Sequence, residues 1–386
     1  MASAEKIPIV VLTGFLGSGK TVLLNALLRQ PGFADSAIVV NEFGEVGLDH
    51  LLVASAEENI VLLDAGCLCC AVLGSLKETL LDLWHRRAQS QVPPFRRVLV
   101  ETTGLADPGP IVQSIMRDSV VTHFYRLAGL VCVVDALHGE GQLEAHDEAR
   151  SQVAYADRLV VTKTDLLQGD CPPALRSRLR ALNPDADIVI ASHGQVSAEE
   201  LLRPGATAAA AELPWLGKLA AQAAQVGQPH DHDHGHGDGQ GHEGDESHGP
   251  DDVHAHHDPD VGSVSFVIDD EITWSGLAAW IDVLRHRYGC ALLRCKGIVN
   301  VAGAPVVVHG VQKLFDTRRL PDWPDAERRS RLVLIGKGLE RDALESLLGW
   351  LGTPEGTQPP LDADTPPPAR AGRPSSSVLA GAPHAP

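Results

Sequence analysis

Three cysteines stand within four positions, Cys67, Cys69 and Cys70, directly after Gly66. Thiolates are strong ligands for Zn²⁺ and other soft or borderline ions, and the spacing of Cys67 and Cys70 lets two sulfurs meet one ion. A closed structural site takes a fourth protein ligand, commonly from a second pair. The remaining cysteines, Cys132, Cys171, Cys290 and Cys295, are scattered and form no such pair. An incomplete thiolate set suits an ion that must later leave. A structural zinc knuckle and a redox dithiol are the competing chemistries for the same residues.

The chain also carries Gly14, Gly19, Lys20 and Thr21 in the Gly-x4-Gly-Lys-Thr spacing of a phosphate loop, with Gly17 and Ser18 inside it. The glycines let the backbone wrap a phosphate with its amides pointing inward, and the helix that follows adds its positive N-terminus. Lys20 reaches the outer phosphates, and the Thr21 hydroxyl ligates Mg²⁺. The apolar run 98–100 ends in Glu101, followed shortly by Gly104. A carboxylate at such a strand end holds magnesium, usually through water, and Gly104 offers its N–H to the γ-phosphate; an ordinary strand-end acid is the other reading of Glu101. Thr162, Lys163 and Asp165 follow a further apolar run, 159–161. An aspartate there accepts two hydrogen bonds from the guanine edge while the lysine stem covers the base, which selects GTP over ATP. Asn is the usual first residue of this motif, and Thr162 stands in its place. No catalytic base or arginine finger is legible beside Lys20 and Glu101, so intrinsic hydrolysis is expected to be slow, on the order of 10⁻⁴–10⁻² s⁻¹.

These groups need strands and helices to hold them. Residues 7–12 form an apolar run that ends at the phosphate loop and reads as a buried parallel strand; 21–29 continues as a helix through Leu23, Leu24, Leu27 and Leu28. Strands are predicted at 37–40, 60–63, 98–100, 130–134, 159–161 and 188–191, with helices between them that include 73–84 and 174–182. Such alternation predicts an α/β fold around a mostly parallel sheet. A second unit follows, with strands at 264–268, 292–301, 305–311 and 332–335 and helices at 273–286 and 341–350, a small α+β domain. The domain organisation is thus 1–225, a linker 226–260, 261–352, and a flexible Pro-rich tail 353–386.

Composition narrows the class. With 386 residues and 44% hydrophobic content there is ample core. No apolar run of about 18 residues marks a membrane span, and no signal peptide is visible, so a cytoplasmic location is expected. The net charge of −18 argues against a nucleic-acid partner. Ten of those negative charges fall in 230–260, which holds no Lys or Arg and nine histidines: His230, His232, His234, His236, His242, His248, His254, His256 and His257. This segment reads as a disordered collector or buffer of Zn²⁺, Ni²⁺ or Co²⁺, or as a solvated linker.

The order of these pieces resembles the CobW family of P-loop GTPases, relatives of the nickel-insertion GTPases of hydrogenase and urease maturation. The resemblance rests on residues 14–21, the Asn41-Glu42-Phe43-Gly44-Glu45-Val46-Gly47 run, 66–70, 101–108, 162–165, and Lys296-Gly297. It implies a P-loop NTPase domain plus a CobW-type C-terminal domain that meets the client. The implied activity is GTP-dependent delivery of Zn²⁺ from the three-cysteine site to a client metalloprotein, with a homodimer possible. Residues 41–47 would be switch I and 104–108 would belong to switch II. Val40 stands where some relatives carry an acidic metal ligand, which leaves Glu42, Asp49, His50 or water for the fourth position. Cobalt delivery for cobalamin synthesis, a metal buffer indifferent to nucleotide, and a signalling GTPase with a structural zinc are the alternatives.

Overall fold

A computed structural model describes residues 6–33, 35–40, 60–62, 69–167, 170–191, 195–202, 261–354 and 376–378. Seven parallel strands form the first sheet: β1 (Ile7–Gly14), β2 (Ser36–Val40), β3 (Ile60–Leu62), β4 (Arg97–Glu101), β5 (Tyr125–Asp135), β6 (Arg158–Thr162) and β7 (Asp187–Ile190), in the order β3-β2-β4-β1-β5-β6-β7. The central strands are buried on both faces, which explains their unbroken Val/Ile/Leu runs. Helices α1 (Lys20–Leu28), α2 (Cys69–Ala88), α3 (Pro108–Arg117), α4 (Val121–Phe124), α5 (Gly139–Ala145), α6 (Asp147–Tyr155), α7 (Pro173–Leu182) and α8 (Ala198–Leu202) connect the strands. One core joins α1 to Leu12, Ile38, Leu99 and Val133. The opposite face packs Ile9, Val11, Val98 and Val100 with α2, α3 and α6.

The second sheet comprises β8 (Val261–Ile268), β9 (Leu292–Val301), β10 (Ala304–Val311), β11 (Leu314–Arg319), β12 (Ser330–Lys337) and β13 (Ser376–Val378), in the order β11-β10-β9-β12-β8-β13 with antiparallel neighbours. One face, with Phe266, Val299, Val308 and Leu334, covers α9 (Trp274–Arg287) and α10 (Arg341–Leu347). Alternate residues Ile298, Val307, Val311, Val333 and Ile335 join the core of the first sheet instead.

The α/β class with a smaller α+β unit is as expected. Three details differ. Strand β11 carries Asp316, Arg318 and Arg319 on an exposed edge and shows no apolar signature. The last helix stops at Leu347 and tightens into a 3₁₀ turn over Leu348–Gly352. Within the Pro-rich tail, Ser376–Val378 pairs with β8. Among the described residues no helix is long and apolar enough to cross a membrane. The histidine-rich segment lies outside the described residues.

Candidate functional site

The phosphate loop leaves the carboxyl end of β1, between β4 and β5. Gly14, Gly17 and Gly19 adopt φ of 146°, 73° and 91°, a region that side chains rarely enter. A Cβ on Gly14 would strike the Val133 carbonyl of the adjacent strand. Lys20 folds back over the loop, its Nζ donating to the carbonyls of Gly14 (2.7 Å) and Phe15 (3.3 Å). Ser18 is fully buried, and among the described residues its Oγ has no hydrogen-bond partner. A lysine ammonium, an orphaned hydroxyl and the N-terminus of α1 thus converge where a phosphate would sit.

The Thr21 hydroxyl donates to Glu101 Oε1 at 3.2 Å. Two oxygen donors drawn together from β4 and the start of α1 match the preference of Mg²⁺ for hard ligands. Beneath them the Thr102 hydroxyl donates to Thr13 Oγ1 (2.9 Å), and the Thr102 N–H donates to the Leu12 carbonyl (2.9 Å), locking the ends of β4 and β1 together. Gly104 is pressed against the phosphate loop: a Cβ there would lie 2.6 Å from Leu16 Cδ2 and 2.8 Å from Leu16 N.

The base-side residues divide between two tasks. The buried Thr162 hydroxyl donates to the Ser18 carbonyl at 2.7 Å, so this residue braces the phosphate loop. Lys163 takes a left-handed φ of 58°, and its ammonium meets Asp135 Oδ2 at 2.7 Å. Asp135 also accepts from the backbone N–H groups of Leu137 and His138 and contacts His138 Nδ1 at 3.1 Å. Burial would raise the Asp135 pKa, but these partners outweigh it and hold the carboxyl below its usual range. Asp165 lies in the 3₁₀ turn Thr164–Leu166 that follows. Asp135 was not singled out from the sequence; an acid closing an apolar strand one element before Lys163 was its available signal.

Cys67 lies outside the described residues, as do Glu42, Asp49 and His50. Cys69 and Cys70 open α2, the helix that follows β3. Among the described residues no cluster of three His, Cys, Asp or Glu could hold a metal. Cys132 is a core residue of β5 whose thiol is pushed up to about 12 by burial, as expected of a small apolar side chain.

The chain matches a family model described as CobW/HypB/UreG, nucleotide-binding domain, over residues 8–190, and one described as cobalamin synthesis protein cobW C-terminal domain over 261–350. It is 30% identical over 347 residues to the zinc chaperone YjiA of Escherichia coli, covering 89% of this chain and 98% of that protein. It is 28% identical over 391 residues to the zinc chaperone CobW of Pseudomonas aeruginosa, covering 90% and 92%. The crystal structure of the Zn(II)-bound YjiA GTPase from E. coli resembles it with a TM-score of 0.64 at 26% identity, over 90% of this chain and all of that one. With both family models matched in the order of the two sheets, and a relative matched along nearly its whole length, the chain belongs to the CobW family of P-loop nucleotide-binding proteins.

Proposed function

We propose that this chain is a GTP-driven zinc metallochaperone: it binds GTP with Mg²⁺ at the phosphate loop, holds Zn²⁺ on Cys67, Cys69 and Cys70, and passes the ion to a client metalloprotein. The observation that carries the reading is that one parallel sheet holds both the formed phosphate site, at the end of β1, and β3, the strand that precedes the cysteine-bearing start of α2 in the chain. The relatives named zinc chaperones support the choice of zinc.

In this reading Gly14, Gly17, Ser18 and Gly19 wrap the phosphates, and Lys20 exchanges its two carbonyl partners for the outer phosphate oxygens. Thr21 and Glu101 would hold Mg²⁺, which neutralises phosphate charge when bound. Gly104 offers its N–H to the γ-phosphate. Thr162 braces the loop, while Lys163 and Asp165 read the guanine. Hydrolysis is slow in isolation and is completed by client docking. Releasing a tightly held ion requires the site to weaken: a 10⁴-fold change in affinity corresponds to about 5.5 kcal/mol of differential binding, which a nucleotide switch can supply.

The test is the Zn²⁺ affinity of the chain, by competition with a chromophoric chelator, in GDP and in a non-hydrolysable GTP analogue. A shift of about tenfold or more, lost in Lys20→Ala while zinc still binds, is the expected result. Equal affinities in the two states would make the protein a buffer or a carrier of structural zinc.

A further inference from the structure

The loop that carries Gly104 is held by a residue outside every nucleotide motif. Gln152, fully buried on α6, donates from Nε2 to the carbonyls of Gly104 and Ala106, both at 3.1 Å. Two carbonyls converging on one amide fix its orientation, because the reversed amide would set oxygen against oxygen. Gln152 Oε1 has no hydrogen-bond partner among the described residues. One end of the side chain therefore holds the loop as it stands, and the other is an acceptor available to a loop N–H if the loop shifts.

Helix α6 is in turn gripped by the second sheet. Gln312, following β10, donates from Nε2 to the Tyr155 hydroxyl at 2.6 Å, and Arg294 donates to the Tyr155 carbonyl. Lys337 of β12 pairs with Asp147 at 3.0 Å at the other end of the helix. Just past α6, Asp157 pairs with Arg294 and with Lys296 (2.8 Å). The helix on the far side of the loop is engaged too. Gln113 of α3 donates to Gln312 Oε1, and a Cβ on Gly109 would lie 2.5 Å from the Tyr155 hydroxyl and 2.7 Å from Gln312 Nε2. The Gly104–Pro108 loop thus spans two elements, α6 and α3, that the same residue of the second sheet touches.

We propose that Gln152 is the positioning residue of the γ-phosphate-sensing loop, and that Gln312 and Arg294 transmit the placement of the second sheet to it through α6. The inference rests on the GTPase reading and adds its regulation: a partner that shifts the second sheet alters GTP hydrolysis, and GTP alters the second sheet. GDP, lacking the γ-phosphate, does not engage Gly104, so the effect is selective for the triphosphate.

The experiment uses the full chain and fluorescent GDP and non-hydrolysable GTP analogues, with single-turnover hydrolysis alongside. In Gln152→Met, the preference for the GTP analogue over GDP and the kcat for hydrolysis should each fall about tenfold, with GDP affinity within about twofold of wild type. Gln312→Met, remote from the nucleotide, should move the same two quantities in the same direction by about threefold or more. This second variant carries the test if Gln152→Met does not fold. Wild-type selectivity and kcat in a folded Gln152→Met would overturn the positioning role; wild-type values in Gln312→Met would overturn the transmission. A wild-type chain that neither binds the GTP analogue nor hydrolyses GTP would instead overturn the proposed function itself.

Discussion

At the residue scale, Thr162 shows how one hydroxyl can hold a site together from beneath. Its place in the motif suggested base recognition, yet its hydroxyl is spent on the Ser18 carbonyl and, at 3.2 Å, on the Val134 carbonyl. Replacing it with an isosteric valine removes this single O–H donor and leaves the Ser18 carbonyl buried without it, at a cost of about 1–3 kcal/mol. The brace is common to both nucleotides. Thr162→Val should therefore weaken GDP and the GTP analogue alike, by about tenfold each, in a fluorescence titration. Equal affinity to wild type would show that the loop holds its shape without the brace.

At the element scale, α6 ends against Asn183, a fully buried side chain. Its Nδ2 donates to the carbonyls of Val153 (2.8 Å), Ala154 (3.2 Å) and Ala156 (2.9 Å), and its Oδ1 accepts from the N–H of Ala186 (3.0 Å). The carbonyls at the end of a helix have no partner further along the helix, and the two hydrogens of one amide are shared here among three carbonyls. Asn183→Ala should lower stability by about 2–4 kcal/mol in urea unfolding, since several buried groups lose their partners together. The elements themselves were largely legible. Strands β1, β4 and β6 announce themselves as apolar runs because both faces are covered, and the phosphate loop by its glycines, because few other residues take its backbone angles. Strand β11 was not legible, since an exposed edge needs no apolar pattern. Nor was Gln152: a glutamine inside a helix carries no periodic or motif signal, and its partners Gly104 and Ala106 lie far away in the chain.

At the scale of the whole molecule, the seam between the two sheets carries buried charge. Lys296 lies between Asp157 and Asp185, at 2.8 and 3.2 Å, and His309 stands opposite it in the register of β9 and β10. Burial, then the nearby Arg294 and Lys296, hold His309 down to about 3, against the weaker pull of Asp157. An unfolded chain takes up that proton near its ordinary 6.5, and the folded chain does not until about 3. Between those values the unfolded state binds more protons, so stability falls as pH drops. Asp157, held below its ordinary 3.8, loses its contribution only under that value, outside most of the window. Thermal melts from pH 7 to 4 should show a steeper loss for wild type than for His309→Leu; identical slopes would mean that His309 is protonated in the fold. The strand order has a further consequence. Strand β3, which leads to the cysteines, and β1, which leads to the phosphate loop, are separated by β2 and β4. Three steps of about 4.8 Å make about 14 Å. The Debye length at physiological salt is about 8 Å, so solvent-facing charges that far apart barely feel each other. In the proposed reading, the field between an ion held past β3 and a γ-phosphate at the end of β1 is therefore largely screened. The coupling proposed above would thus work as a lever, by displacement of the chain, rather than as a capacitor.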